Sequence, residues 1–134
     1  MPGANIYERR PVHPPRKLTS KEEALLSFLL SRQFPGRDQL RQQMRSARVS
    51  GECKCGCPTV ELLVDRAQSP RAKVVRRMPV EAIGNDEDGT QLYALLHVDD
   101  DGFLCELEAY RVDSKPLKLP DPGSLHLLNQ GENK

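Results

Sequence analysis

The chain has no tryptophan, three phenylalanines and three tyrosines in 134 residues. No basic stretch is interleaved with aromatic rings, the pattern that stacks nucleobases, so a nucleic-acid partner is not expected. Long apolar runs are also missing. The longest cluster, "ALLSFLL", is interrupted by Ser27 and followed by Arg32. It falls well short of the ~18 apolar residues of a membrane span, so no membrane partner is expected. The opening "MPGANIYERRPVHPPRKLTS" lacks the apolar stretch of a secretory leader. A cytoplasmic location follows as an expectation, with Cys53, Cys55, Cys57 and Cys105 reduced. No P-loop, dinucleotide fingerprint, nucleophile elbow or His-Glu-x-x-His motif occurs, and His13 and His126 stand alone.

What the chain does have is charge, unevenly placed. The net charge is +1, yet residues 1–82 hold sixteen basic and eight acidic side chains, and residues 83–134 hold four and eleven. Such a split gives the molecule a basic and an acidic end. Its ordinary meaning is two solvated surfaces.

The length fits one domain. Residues 1–18 carry Pro2, Pro11, Pro14 and Pro15 and few apolar side chains, and read as a flexible basic arm. Residues 19–128 form the expected single domain, and 129–134 a disordered tail. Thr19 with Glu22, or Ser20 with Glu23, makes a capping box that starts a helix. "FPGRD" ends it. A second helix, about Arg37 to Ala47, sets Leu40, Met44 and Ala47 on one stripe. Arg37, Arg41, Arg45 and Arg48 lie beside them, a ridge whose ordinary reading is a solvated face.

From Val49 the period moves toward two. "TVELLVD" and "MPVEAIG" read as strands, "RAQSPRAKVVRR" as a basic loop or edge strand, and "QLYALLHV" and "FLCELEAYRV" as a hairpin joined by "DDDG". Setting Val98 opposite Phe103 places Leu92, Ala94, Leu96 and Val98 against Ala109, Leu107, Cys105 and Phe103 on an apolar core face. Tyr93, His97, Glu106, Glu108 and Tyr110 then share the other face, with Leu95 and Leu104. These elements predict an α+β fold: two N-terminal helices packed on a mostly antiparallel sheet of four or five strands.

The segment Cys53-Lys54-Cys55-Gly56-Cys57 raises the question of a metal. In a straight strand, Cys53 and Cys57 would stand about 13 Å apart. That is too far for a shared zinc, whose sulfurs each lie ~2.3 Å from the metal. Convergence requires the chain to curl, and Gly56 and Pro58 could curl it. The second Cys-x2–4-Cys hook of a structural zinc site is missing. Cys105, the only further thiol, falls on the core face. No cofactor is therefore expected, with zinc on Cys53, Cys55 and Cys57 as the alternative.

Glu106 and Glu108 project about 6.6 Å apart on one strand face. Two carboxylates so placed could perform acid–base chemistry, which gives a small hydrolase as a weaker alternative. The favoured site is non-catalytic: Tyr93, His97, Glu106, Glu108 and Tyr110 as a protein-binding face.

The segments "CKCGCPTVEL", "LYALLHVDDDGFLCELEAY" and "KPLKLPDPGSL" together resemble a group of small uncharacterised bacterial proteins, often actinobacterial. These join a short helical front to a Cys-x-Cys-Gly-Cys-Pro segment, a hairpin ending in a Leu-Glu-x-Tyr strand and a proline-rich end. The likeness spans about residues 18–128 and implies no established activity. By analogy of size and architecture, the expected role is that of a small adaptor or immunity-like protein with a protein partner.

Overall fold

The computed structural model describes residues 9–128, and is built on one antiparallel sheet. Its strands are β1 (Arg9–Lys17), β2 (Arg48–Cys53), β3 (Val60–Leu63), β4 (Val80–Asn85), β5 (Gln91–Val98), β6 (Leu104–Arg111) and β7 (Leu125–Leu127). Their spatial order is β1-β2-β3-β6-β5-β4-β7. Two short helices, α1 (Ser20–Leu29) and α2 (Arg37–Gln43), complete the fold. A 3-10 turn, Met44–Ser46, extends α2.

The expected α+β architecture is thereby corrected to a mainly β fold of seven strands. The first added strand is β1, half of the supposed flexible arm. Its prolines are tolerated because β1 is an edge strand and owes hydrogen bonds on one side only. It pairs with β2, Arg9 opposite Cys53 and Lys17 opposite Arg48, with an irregularity between Pro11 and Arg16. Charge fastens it. Arg10 reaches Glu52 at 2.7 Å, and Arg16 binds Glu52 at 3.2 Å and both oxygens of Glu22 at 2.9 and 3.0 Å. The opposite edge is β7, a three-residue strand from the proline-rich end, held on β4 by the Gly84–Leu125 and Ala82–Leu127 pairs. The predicted tail 129–134 and the arm's first eight residues lie outside the described residues.

The capping box is the Thr19–Glu22 one. Glu22 N donates to Thr19 Oγ1 at 3.1 Å and Thr19 N to Glu22 Oε1 at 2.8 Å. Burial works to raise the Glu22 carboxyl, but the bonds from Arg16 and Thr19 outweigh it and hold the group below its ordinary range. α1 buries Leu25, Leu26 and Leu29 against β4 and β5. The core joins these to Leu40, Val49, Val60, Leu62, Val80, Ala82, Leu92, Ala94, Leu96 and Leu107.

The β5–β6 hairpin forms, with a register two residues from the expected one. Ala94 pairs with Ala109, Leu96 with Leu107 and His97 with Glu106, and then Val98 with Leu104. A shift of two keeps each side chain on its face, so the apolar set is still the core. The bulge lies at Cys105, which falls between Glu106 and Leu104 without a partner of its own on β5. Cys105 is thus half-buried, whereas Leu104, expected on the polar face, is 1% exposed.

Candidate metal centre and the outer sheet face

The chain leaves β2 at Cys53 and curls at once. Gly56 N donates to Cys53 O at 3.1 Å, closing a turn over Lys54 and Cys55. Gly56 holds φ at +87° with open space around a would-be side chain, so glycine serves here for its backbone freedom alone. Beyond Pro58, the buried Thr59 anchors the exit. Its hydroxyl accepts from Ala109 N at 3.1 Å and donates to Ala109 O at 3.3 Å. No local pattern marks Thr59, since a threonine before a strand is unremarkable until its cross-strand partner is known.

This curl removes the premise of a straight Cys-x-Cys strand. The sulfurs of Cys53, Cys55 and Cys57 all lie within 4.8 Å of one another, Cys53 being buried and Cys55 exposed. Cys53 Sγ and Cys55 Sγ are 2.7 Å apart, and Cys57 N donates to Cys55 Sγ at 3.4 Å. Two sulfurs on one tetrahedral zinc stand about 3.8 Å apart, inside the 4.8 Å span of this cluster, whose closest pair at 2.7 Å would have to open to take an ion. Thiolates suit zinc and other thiophilic ions. No fourth Cys, His, Asp or Glu joins the group among the described residues. Cys105 stays apart, and burial first, then Asp99 and Glu106, pushes its thiol up to about 11.

The five predicted face residues lie on the sheet surface away from the helices. Tyr93 and Tyr110 pair directly, their rings stacked at 5.3 Å with planes 16° apart. His97 Nε2 and Glu108 Oε1 are 2.7 Å apart. Glu106 takes a bond from Arg9 at 2.5 Å, and Arg9 also lies 3.8 Å from Glu61. Burial lowers the Arg9 guanidinium, but the attraction of Glu106, Cys53 and Glu61 prevails and raises it. Arg9 is the residue sequence reasoning missed here, because it was assigned to the flexible arm.

The two candidate sites adjoin. One open groove of about 560 Å³ is lined by Cys53, Cys55 and Cys57 and also by Glu108, Tyr110 and Lys115. His13 and His126 are exposed and join neither.

A single antiparallel sheet with a three-thiol loop opening on an outer-face groove defines a mainly β protein with a candidate metal centre. The chain belongs to the family described as Domain of unknown function (DUF6984), whose model matches residues 15–120. That span takes in the cysteine loop and the β5–β6 hairpin. Comparison with curated proteins and with solved structures finds no match. No described helix is long and apolar enough to cross a membrane.

Proposed function

We propose that this protein binds a thiophilic divalent ion, zinc foremost, through Cys53, Cys55 and Cys57. The observation that carries the reading is the convergence of three sulfurs within 4.8 Å on a loop shaped by Gly56. Three thiolates and one divalent ion leave a net charge of −1, which Arg9, cross-strand from Cys53, attracts while it also holds Glu106 and Glu61. The fourth position of a tetrahedral ion is left to water or an outside donor. Metal content of protein purified under reducing conditions tests this. About one zinc per chain is expected, retained in Cys105→Ser and lost in Cys55→Ser. A wild-type chain with no more zinc than the Cys53→Ser/Cys55→Ser/Cys57→Ser variant would overturn it.

A second reading, non-enzymatic protein binding in an adaptor- or immunity-like role, is favoured by the stacked tyrosine pair, whose Tyr110 is 40% exposed beside the groove. Aromatic residues with two rotatable side-chain angles are frequent anchors of interfaces. Glu106 and Glu108 are held by Arg9 and His97, which favours binding over hydrolysis. A photo-crosslinking residue at position 110 should trap a partner that is lost when Tyr93 is changed to Ala. Crosslinks insensitive to Tyr93→Ala would remove the support for this reading.

A further inference from the structure

On the side of the sheet that carries the helices, two basic segments widely separated in sequence are packed side by side. One is α2 with its 3-10 extension. The other is the loop 66–77. Gln43, fully buried, donates to Pro70 O at 2.8 Å. Ser46 Oγ lies 3.5 Å from Ser69 Oγ. At the other end of the helix, a Cβ on Gly36 would come within 2.9 Å of the Val74 side chain and 3.1 Å of Lys73 O. The loop therefore runs antiparallel to the helix, residues 69–70 beside its end and 73–74 beside its start.

The inner sides of both segments are spoken for: Leu40, Gln43, Ala47 and Ala72 are buried. Their outer sides carry Arg41 and Arg45 from the helix, and Arg71 and Lys73 from the loop, all exposed. None of these four has an ion-pair partner among the described residues, whereas Arg76 turns toward Glu81 and Leu95 at the outer face. The neighbouring cations are engaged differently. Arg66 pairs with Asp99 and Asp101, and Arg77 with Asp100, so the acidic β5–β6 turn clamps both ends of the loop. The clamp ties the loop to the β5–β6 turn and leaves the four cations of helix and loop facing solvent.

We infer that this surface binds double-stranded nucleic acid through its phosphates. The helix and its extension, residues 36–46, are about 15 Å long. Duplex DNA presents about nine phosphate charges over that length. Three of the four cations are arginines, whose planar fork matches phosphate oxygens two at a time. A protein partner would look for an apolar centre to the patch. Here the exposed apolar side chain is Val75 alone, 80% exposed, with Met78 at its border. A single strand would look for rings to stack on, but Tyr93 and Tyr110 are on the other face and Phe103 is buried beneath Arg66. The absence of interleaved aromatics, which argued from sequence against nucleic acid, bears only on base stacking. A duplex shields its bases and offers phosphates, and phosphate contacts alone supply sequence-independent affinity.

The inference is independent of the metal reading and is tested on the whole chain, with fluorescence anisotropy of labelled duplex DNA of random sequence over a series of salt concentrations. The expected result is binding whose log K falls with log[salt] at a slope of about −3.6, from four contacts at ~0.9 each. Arg41→Glu with Arg71→Glu should weaken binding at least about tenfold at low salt. Lys21→Glu with Lys118→Glu, at the Asn85–Glu87 end of the sheet away from the patch, should change it far less. Far-ultraviolet circular dichroism shows that each variant is folded, and Arg45→Gln with Lys73→Gln replaces the first pair should it fail to fold. A duplex RNA arm shares the phosphate chemistry and separates the two duplex sources. Equal loss in the patch and off-patch variants, binding of anionic phosphatidylserine vesicles as tight as that of duplex, or no duplex binding at low salt would each overturn the inference.

Discussion

His97 on β5 and Glu108 on β6 form a diagonal cross-strand pair, Nε2 to Oε1 at 2.7 Å. The hydrogen bond to Glu108 is the main reason the imidazole titrates above its ordinary value. Burial opposes it, and the charges of Glu106 and Glu108 add to it. A histidine whose folded-state value is raised contributes stability that is fully present below the unfolded value, about 6.5. That contribution is lost as pH rises through the folded one. The urea midpoint should accordingly fall as pH rises above about 6.5 and through the raised folded-state value, and His97→Gln should flatten that part of the profile. A slope that survives His97→Gln would assign the effect elsewhere.

Gln43 is the polar centre of the helix–loop packing. Its amide donates to Pro70 O and Gly102 O at 2.8 and 2.9 Å, and its carbonyl accepts from Leu104 N at 2.9 Å. These three partners fix which way the amide faces. Gln43→Leu leaves Pro70 O and Leu104 N without this partner, while Gly102 O keeps its bond from Ala72 N, at about 1–3 kcal/mol for each unsatisfied group. A loss of roughly 2–6 kcal/mol in chemical denaturation is expected. Gln42→Leu, on the exposed side, should stay within about 0.5 kcal/mol.

Gly102 and Gly56 both hold positive φ, +89° and +87°. Their surroundings differ. A Cβ on Gly102 would sit 2.4 Å from Ala72 O, whereas at Gly56 nothing lies within 4 Å. Gly56→Ala should cost about 1–2 kcal/mol, the conformational penalty alone. Gly102→Ala should cost clearly more, because loop 66–77 must move. Thermal unfolding of the two variants side by side checks the order.

Leu107 is fully buried, paired with Leu96 on one side and Val60 on the other. Leu107→Ala should destabilise by roughly 2–5 kcal/mol. Arg111, one strand-end away, gathers Asp86, Asp88 and Asp113 at 2.7–2.9 Å. Its bonds hold the Asp113 carboxyl down at about 2. Arg111→Met should free that carboxyl to titrate in its ordinary range, which side-chain carbonyl chemical shifts would record.

Cys55 is exposed and Cys105 is half-buried with its thiol pushed up to about 11. In metal-free protein near neutral pH the buried thiol is almost wholly protonated and alkylates slowly. Iodoacetamide should modify Cys55 well before Cys105, read by peptide mass spectrometry. If Cys105 reacts first, its bulge is open to solvent.

Some of this was legible in the residues themselves. A capping box at the start of the first helix is a local contract between neighbours in sequence, and of the two overlapping pairs the residues offer the structure makes Thr19–Glu22. The two faces of β5 are written by strict alternation from Leu92 to Val98, and a register error of two could not exchange them. Tertiary structure alone decided the rest. β1 lacks an apolar pattern because ion pairs from Arg9, Arg10 and Arg16 hold it, and their partners Glu106, Glu52 and Glu22 lie far away or on another element. The three thiols converge because Gly56 adopts positive φ and Thr59 ties the exit to β6. Whether a permissive glycine turns or extends is settled by what its neighbours bond to, and local pattern does not encode that.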